Sequence, residues 1–392
     1  MRISRYNRKS TSARMFLFSF ILATGYWLPV TGYAGGPGSA SVQILKTDMS
    51  PRAMGMGGSF AAVADDIYAA HYNPAGLGQL YLPEASAMYL SGFEDSKLQY
   101  LAFGMPLPIT GIAGRARPGM AVSAVFTQSG QFTYRRINAD GSVSASDMDA
   151  ESNRILSLTY GEKVYSGETR IEGYKAAFDQ YLGLSAKYIG SELLGKYSAS
   201  AFALDAGWLV RETNLGLTFG AALSNYGTGV KYLKETSPLP SILRLGLAYE
   251  RPTVLDQSVL LAVENDFYTT ESLKSFRAGL EYHFEKIFNF RLGYKALEDN
   301  RGGTMGLGIH HEGFSLDFAM SLASEVFNTS QVSFSYKFTG WRPGEHKKPR
   351  YHEEEDLPRP KKAVKPAVKE PVRPRKREAA PAEKNSDLYL IY

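Results

Sequence analysis

Residues 276–295 read FRAGLEYHFEKIFNFRLGYK, and the fold is decided in them. Phe276, Ala278, Leu280, Tyr282 and Phe284 alternate with Arg277, Gly279, Glu281 and His283. After a tight turn near 285–286, Phe288, Phe290, Leu292 and Tyr294 alternate with Asn289, Arg291, Gly293 and Lys295. Successive side chains of a strand point to opposite faces, so each run has one bulky apolar face and one face of glycine and charge. The pattern repeats at Leu243–Tyr249, Phe314–Met320 and Val332–Phe338. A soluble sandwich would hide its bulky faces between two sheets. Here the aromatics cluster at strand ends, as two water–lipid interfaces require. Lipid outside and a polar lumen inside account for both faces, and closure pairs every strand edge, as hydrocarbon demands. The chain is therefore read as all-β, a transmembrane antiparallel β-barrel.

Working outward in both directions, the alternation predicts fourteen strands, near 84–91, 97–104, 117–127, 150–161, 178–190, 198–211, 214–226, 238–250, 256–266, 274–284, 287–296, 303–311, 313–321 and 330–339. Connections alternate short and long in the later half, as periplasmic turns and outer loops do. An even count puts both ends of the mature chain in the periplasm. Two regions fit poorly. Residues 128–149 read as a long polar loop with a small hairpin at Phe132–Ile137. Residues 162–177 are too long for a periplasmic turn and suggest a short helix or a miscounted strand.

The chain has 392 residues, 44% hydrophobic and 12% aromatic, with no cysteine. That excludes a disulfide framework, a thiolate metal site and a cysteine nucleophile. The net charge of +5 is carried by the ends: residues 1–34 and 341–392 hold +5 each, which leaves residues 35–340 at −5. A nucleic-acid-binding body is not supported. Residues 1–34 read as a cleaved signal peptide, with a basic start, an apolar run at Met15–Val30 and small residues at Gly32 and Ala34. Residues 341–392 hold 8 of the 19 prolines and many lysines and arginines, a solvated periplasmic tail without a core. Its basic stretch suits a periplasmic protein or peptidoglycan as partner.

Residues 35–83 precede the first strand, and within them 52–78 read RAMGMGGSFAAVADDIYAAHYNPAGLG. Gly55, Gly57 and Gly58 permit close backbone approach or positive φ. Asp65 and Asp66 before Ile67–His71 suggest a capped helical turn, and Asn73–Pro74 ends it. The spacing is neither a dinucleotide fingerprint nor a phosphate loop. This stretch resembles the N-terminal signature of the PorV/PorQ family, within the outer-membrane proteins similar to the long-chain fatty acid transporter FadL. The matching residues are Arg52, Met54, Gly55, Met56, Gly57, Gly58, Asp65, Asp66, Asn73, Pro74, Ala75, Gly76 and Leu77, with Gln43–Lys46 as lead-in. The resemblance implies a fourteen-stranded barrel whose N-terminal segment forms a plug in the lumen. It also implies a role in type IX-like secretion, handling exported cargo proteins and passing them to surface attachment. The wider class implies the alternative, transport of a hydrophobic small-molecule ligand across the outer membrane. A structural barrel with a wall-binding tail is the third reading.

On the predicted register Asp205, Arg244, Glu264, Arg277, Glu281, Arg291, Asp317 and Lys337 face the lumen, where opposite charges pair with one another or need water. None of the six histidines sits beside a convincing nucleophile, so no enzyme, cofactor or metal centre is expected. The expected surroundings are outer-membrane lipid.

Overall fold

The computed structural model describes residues 35–92, 96–171, 174–253, 257–297, 301–323 and 328–340. The signal-peptide reading of 1–34 and the tail reading of 341–392 lie outside them. The strands are β1 (Glu84–Ser91), β2 (Lys97–Pro106), β3 (Gly119–Ile137), β4 (Val143–Ile171), β5 (Tyr174–Leu193), β6 (Tyr197–Glu212), β7 (Leu217–Gly227), the short pair β8 (Val230–Lys231) and β9 (Thr236–Ser237), then β10 (Ile242–Pro252), β11 (Ser258–Tyr268), β12 (Leu273–Phe284), β13 (Phe288–Ala296), β14 (Gly302–His311), β15 (Phe314–Ala323) and β16 (Thr329–Lys337). Fourteen close into one antiparallel barrel in which β1 pairs with β16, while β8 and β9 form a separate ribbon in the loop between β7 and β10. The end holding Glu84 and Lys337 is called proximal here, and the other end distal.

The alternation sets the facing. Phe290 and Leu292 are exposed at 47% and 60%, while Arg291 between them is buried at 1%. Two exposed aromatic rings circle the outer wall. Phe103, Trp208, Phe288 and Phe314 lie toward the proximal end, and Tyr89, Phe126, Tyr188 and Phe202 toward the distal end. Between them the outside is mostly Leu, Val, Ile and Phe, as lipid contact requires.

The two poorly fitting regions are strand, not loop or helix. β3 and β4 continue past the wall as a distal ribbon, paired from Ser129↔Glu151 to Ile137↔Val143. β4 and β5 continue as a proximal ribbon, closing at Ile171↔Tyr174. Serine, threonine and charged residues alternate there, because these extensions leave the apolar band and need no bulky face.

The chain before β1 runs from the distal to the proximal end. Gly35 donates its backbone N–H to Thr270 (3.0 Å), beyond the distal end of β11, and Glu84 opens β1 at the proximal end. Residues 35 and 337 therefore lie at opposite mouths of the barrel. The reason is that residues 35–83 traverse the inward face of the barrel rather than entering and returning.

Replacing Leu292 by Arg should cost about 2–4 kcal/mol if that position meets the bilayer midplane. Refolding titrations into lipid vesicles measure this, and a neutral substitution would mean that the strand faces water.

Candidate functional site

Residues 40–80 are almost wholly buried against inward-facing wall positions. What admits them is glycine on the wall. Gly119, Gly161, Gly183 and Gly207 are successive cross-strand partners on β3–β6, Gly220 pairs with Gly246, and Gly279 with Gly293. A Cβ at Gly183 would lie 2.2 Å from the Pro74 carbonyl carbon, one at Gly279 2.4 Å from the Met56 oxygen, and one at Gly293 2.1 Å from the Gly57 nitrogen. The segment's own glycines reply. Gly57 has φ +66, and its Cβ would meet the carbonyls of Ala278 and Tyr294 at 2.8 Å. Gly58 has φ +84 and lies against Arg277 and Asp48, while Gly55 abuts Arg291 and Gly306.

Asn73 fixes the turn at the mid-wall. Its amide donates to the carbonyls of Ala61 (2.7 Å) and Trp208 (3.2 Å) and accepts from Ala75 N–H (3.2 Å). Pro74 then starts a 3-10 turn, Pro74–Gln79. Asp66 opens the turn that leads into the helix Ala69–Tyr72: its side chain accepts Tyr68 N–H (2.9 Å) and its carbonyl accepts Ala69 N–H (3.0 Å). Asp65 and Asp66 also pair with Arg52, at 2.5 and 3.1 Å.

The charged lumen residues gather into two networks on the β10–β16 side. In the proximal one Arg52 reaches Glu281 (2.9 Å), which also receives Arg291 (2.5 Å) and His283 (2.9 Å). Arg291 continues to Asp317 (2.6 Å), and His310 lies 3.5 Å from the same carboxylate. In the distal one Asp48 pairs with Lys295 and Arg277, and Arg277 with Asp266 (3.3 Å). Arg244 lies 3.7 and 3.9 Å from Asp266 and Glu264, and Glu264 accepts the N–H groups of Phe60 (2.9 Å) and Ala61 (2.7 Å). Asp205 stands apart, paired with Lys187 at 2.6 Å, and Lys337 reaches Glu84 at 4.0 Å at the proximal mouth.

The opposite side of the lumen carries an apolar row, flanked by buried polar residues such as Ser123, Ser157, Ser185 and Lys187. Met88, Tyr100, Val125, Ile155, Ile189 and Ala201 are successive cross-strand partners across β1–β6, all turned inward and buried. Leu45 and Met49 lie against this row around a small cavity that also touches His71 and Lys187. Its volume, about 10 Å³, admits one water-sized body. The His71 Nε2 atom has no partner among the described residues. Among those residues no group of three His, Cys, Asp or Glu is placed to hold a metal ion.

Sequence reasoning passed over several members of this site. Lys187, Asp266 and Lys295 sit on the inward phase of their strands and were legible from the alternation. Asp48 carries no pattern, because it belongs to an irregular segment.

No family model matches the chain, and no curated protein matches it. Among solved structures it is similar to the Ralstonia pickettii toluene transporter TbuX, with 14% identity over 74% of this chain and 98% of that one, at a TM-score of 0.46. The P. putida toluene transporter TodX has 12% identity over 73% and 97%, TM-score 0.39. A Pseudomonas aeruginosa FadL homologue has 11% identity over 73% and 97%, TM-score 0.40. These likenesses concern architecture and assign no ligand.

Arg291→Ala would leave the buried Asp317 carboxylate with His310 alone, while Glu281 keeps Arg52 and His283. It should cost about 3 kcal/mol, the low end for breaking a buried pair, and refolding titrations in parallel with Leu292→Arg check it; an unchanged stability would mean that the Arg291 network does not hold the wall. Gly57→Val should leave the barrel folded, because its ladder does not use that residue. It should expose Lys46 and Arg52 to trypsin, since the valine meets two wall carbonyls at a backbone angle it rarely adopts. Unchanged protection would mean that the close contact at Gly57 is dispensable.

Proposed function

We propose that the chain is an outer-membrane barrel that admits hydrophobic small molecules, with residues 35–83 as a displaceable plug and the proximal end in the periplasm. One observation carries this reading. The inward face of an aqueous channel is polar, yet here β1–β6 turn Met88, Tyr100, Val125, Ile155 and Ile189 inward as a continuous row. Leu45 and Met49 of the N-terminal segment cover that row. Withdrawing them would uncover apolar wall able to take a hydrocarbon chain or ring. The ionic side would keep water and the plug body in place meanwhile.

Handling of exported cargo in type IX-like secretion is the second reading, favoured by the resemblance of residues 52–78 to the PorV/PorQ signature. It makes the buried segment a docking element and leaves the apolar row without a ligand.

Binding of an apolar fluorescent probe separates the two readings. The purified barrel should bind N-phenyl-naphthylamine saturably, and Ile155→Asp should abolish most of that binding, since a charge there is desolvated beside the ligand. Equal binding by both proteins would favour the secretion role. Deleting residues 40–80 should raise single-channel conductance in planar bilayers. No rise would mean that the segment does not obstruct the lumen.

A further inference from the structure

The loop between β2 and β3, residues 107–118, reads LPITGIAGRARP and does not hang free from the proximal end. Backbone hydrogen bonds Leu107 N–H to Pro118 O (2.8 Å) and Gly111 N–H to Ala116 O (2.9 Å) close it into a compact hairpin. That hairpin folds onto the outside of the wall. Glu162 on β4 pairs with Leu182 on β5, which in turn pairs with Trp208. Leu182 and Trp208 are exposed at 48% and 42%, on the lipid-facing side. Glu162 lies in the same outward row, yet it is buried because the loop covers it. Its carboxylate accepts Ala113 N–H (3.1 Å) and the Tyr160 hydroxyl (3.1 Å). A Cβ at Gly111 would lie 1.9 Å from that carboxylate, so only glycine lets the loop lie so flat.

The outer surface of this loop is the unusual part. Ile112 is 90% exposed and Ile109 58%, directly beside a carboxylate that the loop has taken out of contact with its surroundings. In water this would hide the charge and display the isoleucines. At a lipid surface the same arrangement shields the charge and inserts the isoleucines. The loop has no acidic residue, and its two cations, Arg115 and Arg117, follow the isoleucines. The Arg115 guanidinium lies over the Tyr165 ring at 5.7 Å, on the loop side of β4. Apolar residues next to arginine and tyrosine form an interfacial arrangement, with side chains in the acyl region and cations among phosphates.

We infer that residues 107–118 form a membrane-interface anchor that buries Ile109 and Ile112 in the leaflet at the proximal end and presents Arg115 and Arg117 to anionic phospholipid headgroups. The inference rests on the membrane reading above and is independent of what the lumen carries. It continues the lipid-facing band downward on one side only. It also gives Glu162 a reason to be capped rather than absent.

The absence of cysteine makes the test direct. A nitroxide is attached to Ile112→Cys in the full chain, reconstituted in vesicles containing phosphatidylglycerol, and its collisions with oxygen and with a water-soluble nickel chelate are compared. Leu158→Cys on the outer wall and Ile137→Cys on the distal ribbon are the references. The Ile112 label should favour oxygen as the Leu158 label does. Nickel access equal to that at Ile137 would overturn the anchor while leaving the barrel reading intact. Nickel access at Leu158 as well would overturn the membrane reading and the anchor with it. Arg115→Ala and Arg117→Ala should each reduce phosphatidylglycerol retained in native mass spectrometry by about fivefold, the equivalent of the roughly 1 kcal/mol a basic residue gains at an anionic surface. Undiminished retention would remove the headgroup contact.

Discussion

Backbone-to-backbone contact between the N-terminal segment and the barrel wall is the constraint on which the interior depends. Two main chains can approach this closely only where side chains are missing, and the wall supplies glycine in register on neighbouring strands. A ring of glycines has no packing value for a barrel by itself, since a strand glycine loses entropy and fills nothing. It is accounted for by the segment it admits. Pro74, Met56 and Gly57 occupy the space where wall side chains would otherwise stand.

Once the segment lies that close, its polar groups and those of the wall lose water together and must satisfy each other. The two ionic networks do this. Arg52 and Asp48 from the segment each join wall charges of opposite sign, and Glu264 accepts two of the segment's N–H groups. The networks define position more than they add stability, since paired charges in a poorly hydrated interior roughly offset their own desolvation. The apolar row on β1–β6 imposes no such pairing, and on that side the segment is held by contact together with two neutral hydrogen bonds, Asn73 to the Trp208 carbonyl and Tyr68 to the Ser86 hydroxyl. The ionic bonds are thus concentrated on one side of the lumen.

The strand number and the facing of β12–β16 were legible because those strands keep one bulky face and one face of small, polar and charged residues, a contrast that β10 and β11 blur with Ile242 and Leu260 turned inward. Arg291 between Phe290 and Leu292 can only point one way. The β2–β6 wall was harder to read. Val125, Ile155 and Ile189 face inward, while Val122, Leu156 and Tyr188 face outward, so apolar residues stand on both faces and the period weakens. The ribbons beyond the wall were illegible for a different reason. Outside the membrane a paired strand needs no alternation of bulk, so residues 128–149 read as a polar loop with only a small hairpin, and 162–177 as a short helix or a miscounted strand. The motif at 52–78 stood out in the sequence, and so did the turn that Asp66 opens, but the ion pairs of Asp65 and Asp66 did not follow from spacing. Their partner Arg52 is brought to them by the fold, across a helical turn and a glycine bend.

The path of the segment brings each of its ends against a fully buried carboxylate of the barrel. At the distal mouth Glu271 alone collects Gly38 N–H (3.0 Å), Ala40 N–H (3.3 Å), the Gln43 amide (3.1 Å) and the Lys46 ammonium (2.7 Å). Toward the proximal end Arg52 binds three carboxylates, and the Asn73–Pro74 turn lies within the glycine ring. Glu271 has no exposure, like Glu281, and its cation Lys46 keeps 21% against 13% for Arg52. Backbone bonds add to the distal hold: Ser41 N–H donates to Pro238 O (2.8 Å) and Gly35 N–H to Thr270 O (3.0 Å). Releasing either end therefore separates a buried carboxylate from its cation. Leu45, next to Lys46, lies against the apolar row, so the bonds that hold residues 35–46 at the distal mouth also hold the cover of the hydrophobic wall.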